Sequence, residues 1–246
     1  MHQLIIIIFA VTLVSLVSLI GILFISFKKK KLESIIISLV ALASGALLGG
    51  AFLHLIPEAY EACQCEMIFI MVLAGIMLFF LLEKILYWRH CHKDHCDIHA
   101  FTYMSLVGDA VHNFIDGTIL ASAFITSIPL GVTTTLAIIT HEIPQEIGDF
   151  GVLIHGGFTK KKALLYNFLS ALVALLGAVC GYYLASTIIK FTPFLLAFAA
   201  GGFIYIASSD LIPELHKTKN VRSSLKQLFF LTLGISLMWL LKSVLA

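Results

Sequence analysis

Apolar residues run along this chain in long blocks separated by short polar stretches. Broken at charge clusters and prolines, the pattern gives eight apolar spans: 3–27, 34–56, 67–88, 101–126, 129–155, 163–190, 193–214 and 224–245. Crossing the hydrocarbon core of a bilayer takes roughly 20 such residues in a helix. Each span is therefore expected to be one crossing, joined to the next by a short loop. The first span has no basic residue before it and is followed by the cluster Lys28 to Lys31. It reads as a retained helix rather than a cleaved leader.

Composition turns this pattern into a class. Of 246 residues, 60% are hydrophobic and 12% are charged, and mean hydropathy is +1.02. A soluble domain carries about 45–50% apolar and about 25% charged residues. So little charge cannot cover a water-facing surface, which excludes a cytosolic enzyme and a nucleic-acid binder. The expected fold is an all-α polytopic membrane protein of eight transmembrane helices. Residues 1–246 form a single transmembrane domain in the lipid bilayer, with one polar loop at 89–100. Five cysteines in such a chain do not make a disulfide scaffold.

The placement of charge gives an orientation. With eight crossings, loops 28–33, 89–100, 156–162 and 215–223 share one side. That side, with Lys84 and Lys226, holds 14 of the 16 basic residues. Basic loops stay cytosolic, so both termini are expected outside, at the plasma membrane. The first outer loop is acidic, with Glu58, Glu61 and Glu66. A weak internal repeat accompanies the asymmetry. Gly49-Gly50 precedes Leu55-Ile56-Pro57-Glu58 in span 2, and Gly201-Gly202 precedes Leu211-Ile212-Pro213-Glu214 in span 7. These spans run in opposite directions, so spans 1–3 and 6–8 are expected to form an inverted repeat around spans 4–5, as in many transporters.

The chemistry is concentrated in the central pair. Span 4 holds Asp109, His112, Asn113 and Asp116; span 5 holds His141, Glu142, Gln145, Glu146 and Asp149. Ionisable groups cost about 2.5 kcal/mol or more each at the bilayer centre, so they need a partner. His112 and Asp116 are spaced i, i+4, as are His141 and Gln145, and Glu142 and Glu146; each pair shares a helix face. Counted from opposite ends, His112 and His141 both lie roughly 17–18 Å deep. Neither motif contains Lys or Arg, which argues against a salt-bridge cluster. Nitrogen and oxygen donors of this kind suit Zn²⁺, Fe²⁺ or Mn²⁺. Pro144, inside the span 5 motif, frees a backbone carbonyl, a break tolerated beside a polar cavity.

His112-Asn113-Phe114-Ile115-Asp116-Gly117 and His141-Glu142-Ile143-Pro144-Gln145-Glu146-Ile147-Gly148-Asp149-Phe150 resemble the paired signatures of the ZIP (Zrt/Irt-like) divalent-metal transporters. The nearest branch carries His-Asn-Phe-x-Asp-Gly and His-Glu-x-Pro-His-Glu. The resemblance implies eight crossings with both termini outside and metal uptake into the cytosol. It also implies ligand roles for His112, Asn113, Asp116, His141, Glu142 and Gln145. Zinc is the first expectation; iron, manganese and cadmium remain open. Two positions depart from the pattern. Gln145 stands where the branch has its second histidine, and an amide oxygen is a poorer transition-metal ligand than imidazole. Ala174 stands where some members have a span 6 glutamate, so a complete second metal position is not expected.

Other donors lie outside the core motif. His54 with Glu58 near the outer end reads as an entry site or a capped helix end. Asp210 with Glu214 repeats that spacing near the inner end. Asp109, Asp149 and His155 lie cytosolic of the motif, on an exit path. The loop His90, Cys91, His92, His95, Cys96 and His99 has the composition of a zinc- or copper-binding tract, expected to regulate or receive metal rather than conduct it. Cys63 and Cys65 face outward as metal collectors or unpaired thiols.

Two rival readings come from other classes. His141-Glu142-Ile143-Pro144-Gln145 resembles the His-Glu-x-x-His of a metalloprotease, but Gln145 removes the second histidine and Pro144 distorts the helix. A non-transporting metal sensor is the other. The chain has no nucleotide-binding loop, is not expected to be an enzyme and needs no catalytic cofactor. Its expected partners are the metal ion, the bilayer and, in a homodimer, a second copy.

Overall fold

A computed structural model describes residues 2–25, 29–90, 100–217 and 220–245, and all the regular structure in them is helical. The first apolar span is α1 (His2–Ser15), a 3₁₀ stretch Leu16–Gly21 and α2 (Ile22–Ile25). The second is α3 (Lys29–Gly49), a π-helical stretch Gly50–Leu55 and α4 (Ile56–Cys63). Then come α5 (Met67–His90), α6 (Ala100–Thr126) and α7 (Ile128–His155). The sixth span is split into α8 (Lys160–Ala171) and α9 (Val173–Tyr183). The seventh is α10 (Ala185–Tyr205), a π-helical stretch Ile206–Leu211 and α11 (Ile212–His216), and α12 (Val221–Leu245) ends the chain. The donors Cys91, His92, His95, Cys96 and His99 lie outside the described residues, as does the side chain of His90.

Six of these stretches are long and apolar enough to cross a membrane: Gln3–Phe24, Ile35–Cys63, Met67–Ile85, Lys160–Tyr183, Lys190–His216 and Val221–Ser243. The two remaining long helices, α6 and α7, have 27 and 28 residues. Their hydropathy is lowered by the carboxylates, histidines and amides they carry.

Burial is inverted relative to a soluble protein. Phe69, Leu73 and Met77 on α5 and Leu225, Phe229 and Trp239 on α12 are exposed. Meanwhile Asp109, His112, Asp116, Glu142, Glu146 and Asp149 are buried. Apolar surface on this scale marks contact with a membrane or partner; here it covers the outer helices of the bundle.

Local chemistry sets the helix ends. The Ser127 hydroxyl caps α7 by accepting from Leu130 N at 3.3 Å, with Pro129 in the first turn. Thr159 caps α8 in the same way through Lys162 N. Between them Gly157 takes φ 101°, which an L side chain rarely adopts. One boundary departs from the sequence reading. Pro193 does not separate the sixth and seventh spans; it lies inside α10. The chain turns at Leu184 (φ −114°, ψ 19°). A helical proline removes a single hydrogen bond, which a packed bundle accommodates.

The second and seventh spans share a design. Each passes through a π-helical stretch directly before Ile-Pro, with the proline in the first turn of the next helix. Their packing matches too. A Cβ at Gly45 would fall on the Leu231 carbonyl oxygen, and one at Gly234 on that of Leu42. Likewise a Cβ at Gly201 would fall on the Val72 carbonyl oxygen, and one at Gly75 on that of Phe198. Thus α3 meets α12, and α10 meets α5, by reciprocal glycine-to-carbonyl contacts. Gly45 stands as far before Leu55 as Gly201 does before Leu211.

Candidate metal centre

The two motif helices pack against each other, and four side chains converge between them. His112 and Asp116 come from one face of α6, and His141 and Glu142 from α7. One donor atom from each lies within 4.8 Å of the other three. His141 Nε2 is 3.1 Å from Asp116 Oδ2 and 3.8 Å from Glu142 Oε1. His112 Nε2 is 3.7 Å from Asp116 Oδ2 and 3.4 Å from Glu142 Oε1. Four donors placed tetrahedrally around Zn²⁺ at about 2.0–2.1 Å would be about 3.3 Å apart. The observed separations bracket that edge, so two imidazoles and two carboxylates suit a tetrahedral borderline ion.

The cluster is buried unevenly. The side chains of His112, Asp116 and Glu142 are 5%, 6% and 1% exposed, and that of His141 is 22% exposed. His141 therefore faces the approach. A cavity of 370 Å³ leads to it, lined by His112, Asp116 and His141 at one end and by His54, Glu58 and Glu61 at the other. Glu58 and Glu61 are exposed, so the cavity opens at their end of the bundle. His54 Nε2 lies 2.7 Å from the Met238 carbonyl. Lys242 also lines the cavity. Span 2 contributes Gly50 and Leu55 to the wall, and span 7 contributes Leu196 and Phe203. The Phe203 ring packs on His112 at 5.1 Å. Each π-helical stretch begins close to these residues, and such stretches recur at functional sites.

The remaining motif residues divide between the cavity and a deeper layer. Gln145 lines the cavity, and its Nε2 has no hydrogen-bond partner. Asn113 points away from the cluster's imidazoles in its donor bonds, giving Nδ2 to Asp109 Oδ1 at 2.9 Å. Glu146 accepts from Asn167 of α8, and Asp149 accepts from Ser105 at 3.2 Å. Asp210, in the second π-helical stretch, is buried with Oδ2 unpartnered. Its sequence partner Glu214 turns elsewhere: it pairs with His155 Nε2 at 3.0 Å and with Lys217.

Sequence reading does not find Ser105, Asn167, Ser170 or Phe203. Asn167 and Ser170 are i, i+3 polar residues within an apolar span, which is the signal available for them. Cys63 and Cys65 are joined in a disulfide across the left-handed Gln64 (φ 50°), so in this form neither is an unpaired thiol or a thiolate ligand. Cys180 is free and half-buried.

The ZIP zinc transporter family profile matches residues 2–100 and 88–242. Zinc transporter zipt-7.2 of Caenorhabditis elegans is 31% identical over 264 residues, covering 82% of this chain and 57% of that protein. Zinc transporter ZIP13 of Pongo abelii is 34% identical over 217 residues, 81% of this chain and 65% of the relative. For zinc transporter ZIP13 of Homo sapiens the figures are 32% over 255 residues, 81% and 69%. The chain thus spans less than two thirds of the first two of these relatives.

Proposed function

Because the chain belongs to the ZIP zinc transporter family, we propose that it carries a divalent transition metal, zinc foremost, across a membrane into the cytosol. The observation that carries this reading is the convergence of His112, Asp116, His141 and Glu142 at the closed end of a cavity whose open end is acidic. Metal enters past Glu58, Glu61 and His54, exchanges water for the two imidazoles and two carboxylates, and leaves past Asp109 and Asp149. Ligands from only two helices, including an imidazole partly open to the cavity, bind without enclosing the ion. That is what release requires.

Eight crossings, with α6 and α7 as the fourth and fifth, complete the architecture. The polar face of each is hidden against the other, so their low hydropathy is no bar to crossing. The matched π-helical stretches and the reciprocal glycine contacts support an inverted repeat of spans 1–3 and 6–8 around this pair. Rocking of the repeats against the central helices would expose the site to each side in turn. The basic loops mark the cytosolic side, with both termini outside at the plasma membrane. The loop from His90 to His99 buffers or senses delivered metal.

Zinc-loaded proteoliposomes test the reading: purified protein should speed zinc movement down its gradient over protein-free vesicles, without ATP. Equal rates would overturn it. The metalloprotease alternative is not favoured, since the fourth residue after His141 is Gln145.

Gln145 sets selectivity. Its amide lines the cavity one turn from His141. Gln145→His adds an imidazole donor there and should raise zinc preference over manganese by about tenfold, the scale of one added borderline ligand. Competition uptake with both ions measures it. An unchanged ratio would mean that residue 145 does not touch the ion.

A further inference from the structure

The acidic end of the cavity also holds a lysine. Lys242 of α12 lines it together with His54, Glu58 and Glu61. A lysine near the end of a crossing ordinarily stretches its stem toward the membrane surface. Lys242 belongs instead to the face of α12 that carries Met238 and Leu241 into the cavity wall. Here it stands in the path on which a cation would approach the four-donor cluster.

Packing fixes the level at which this side chain begins. Gly45 meets Leu231 and Gly49 meets Met238, so α3 and α12 run in the same direction. His54 continues the register, with Nε2 2.7 Å from the Met238 carbonyl. Glu58 follows His54 by four residues, and Lys242 follows Met238 by four, about one further turn on each helix. Carboxylate and lysine thus stand at a common level, one turn outward of His54, on two walls of the cavity. The charge of Lys242 acts on both Glu58 and His54. Among the described residues, however, Lys242 forms no ion pair. The half-buried side chain keeps its flexible four-carbon stem and is not locked to one carboxylate.

We infer that Lys242 is a tethered counter-cation at the cavity mouth, an affinity-setting residue that an entering dication displaces from the field of Glu58 and Glu61. A lysine ammonium is a compact charge with three donors and no acceptor, so it cannot itself ligate a metal. It offsets part of the acidic charge between one metal ion and the next, and swings aside when a dication arrives. Removing its charge leaves Glu58, Glu61 and His54 to draw a dication more strongly, so the mouth fills at a lower metal concentration. Its effect on passage rests on the transport reading; its effect on binding does not.

Full-length variants graded in charge test this. A dication about 8 Å from an ammonium in a wet cavity loses about fivefold in affinity to the repulsion. Lys242→Met keeps the stem and removes the charge, so it should lower KM for zinc flux in proteoliposomes about fivefold. The kcat should stay within about twofold, the pattern of altered ground-state binding. Lys242→Glu changes two charges and should lower KM about 25-fold, whereas Lys242→Arg should match the wild type. The differences should close in about 1 M salt, where charges are screened beyond about 3 Å. Zinc binding to purified protein, measured by competition with a chromophoric chelator, should follow the same order. Lys242→Gln replaces Lys242→Met if the latter does not fold. Equal affinities across the series, or Lys242→Arg behaving like Lys242→Met, overturns the assignment and leaves Lys242 a packing residue. Zinc flux whose KM ignores the charge at 242 sinks this role alone. Graded zinc binding without flux sinks the transport reading and leaves the role standing.

Discussion

Replacing His112 or Asp116 by Ala should reduce zinc flux at least 100-fold at equal amounts of folded protein. Each residue supplies one of four converging donors; His112 lies 3.4 Å from Glu142 and Asp116 3.1 Å from His141 of α7. Loss of an outer-shell partner alone costs 10–100-fold in metal affinity or activity, so loss of a direct ligand sets the lower bound here. The two variants should also differ. His112→Ala leaves Asp116 and Glu142 with one imidazole between them, a harder donor set that favours manganese over zinc. Asp116→Ala leaves two imidazoles and one carboxylate, still suited to zinc but without the charge that draws it in. Residual zinc flux should therefore recover with concentration in Asp116→Ala more than in His112→Ala. Proteoliposome flux against zinc concentration checks both statements. Near-normal flux in either variant would remove that residue from the site.

The second large effect concerns folding. Gly45→Val and Gly201→Val should each abolish recovery of monodisperse protein, and to a similar degree. Overfilling a packed interior costs about 1–3 kcal/mol. Here the obstacle is a backbone carbonyl that cannot rotate aside, so the cost lies at or above the top of that range. Gly50→Ala is the control, since a Cβ there would meet nothing closer than Phe203 Cδ2 at 4.0 Å. It should fold like the wild type. The readouts are yield after size exclusion and melting temperature in detergent. If one valine variant folds normally and the other does not, the two contacts are not equivalent and the repeat loses its support.

Much of this architecture can be read from the chain because transfer to hydrocarbon adds up residue by residue. Apolar blocks locate the helices without knowledge of what they touch. Boundaries set by local backbone geometry escape that logic. Pro193 looks like a break and is not, whereas Leu172 and Leu184, unremarkable in composition, interrupt the helix. The metal cluster is legible for a different reason. On α6 its donors His112 and Asp116 sit at i, i+4, so spacing puts them on one face; α7 supplies the adjacent His141 and Glu142, which that spacing does not pair. Partners that meet across long separations leave no such trace. Asn167 reaches Glu146 only because α8 folds back on α7, and Tyr205 of α10 donates to Glu83 of α5, 122 residues away in sequence. His155 and Glu214 likewise pair across 59 positions.

The Cys63–Cys65 link at the end of α4 has a use as a compass. Disulfides persist in oxidising compartments and are reduced in the cytosol. The same end of the bundle bears Glu58, Glu61 and the cavity mouth. In intact cells, this pair should resist a thiol-blocking reagent until a reductant is added outside. Its accessibility then reports the handedness of insertion at the mouth itself, independently of any count of lysines and arginines.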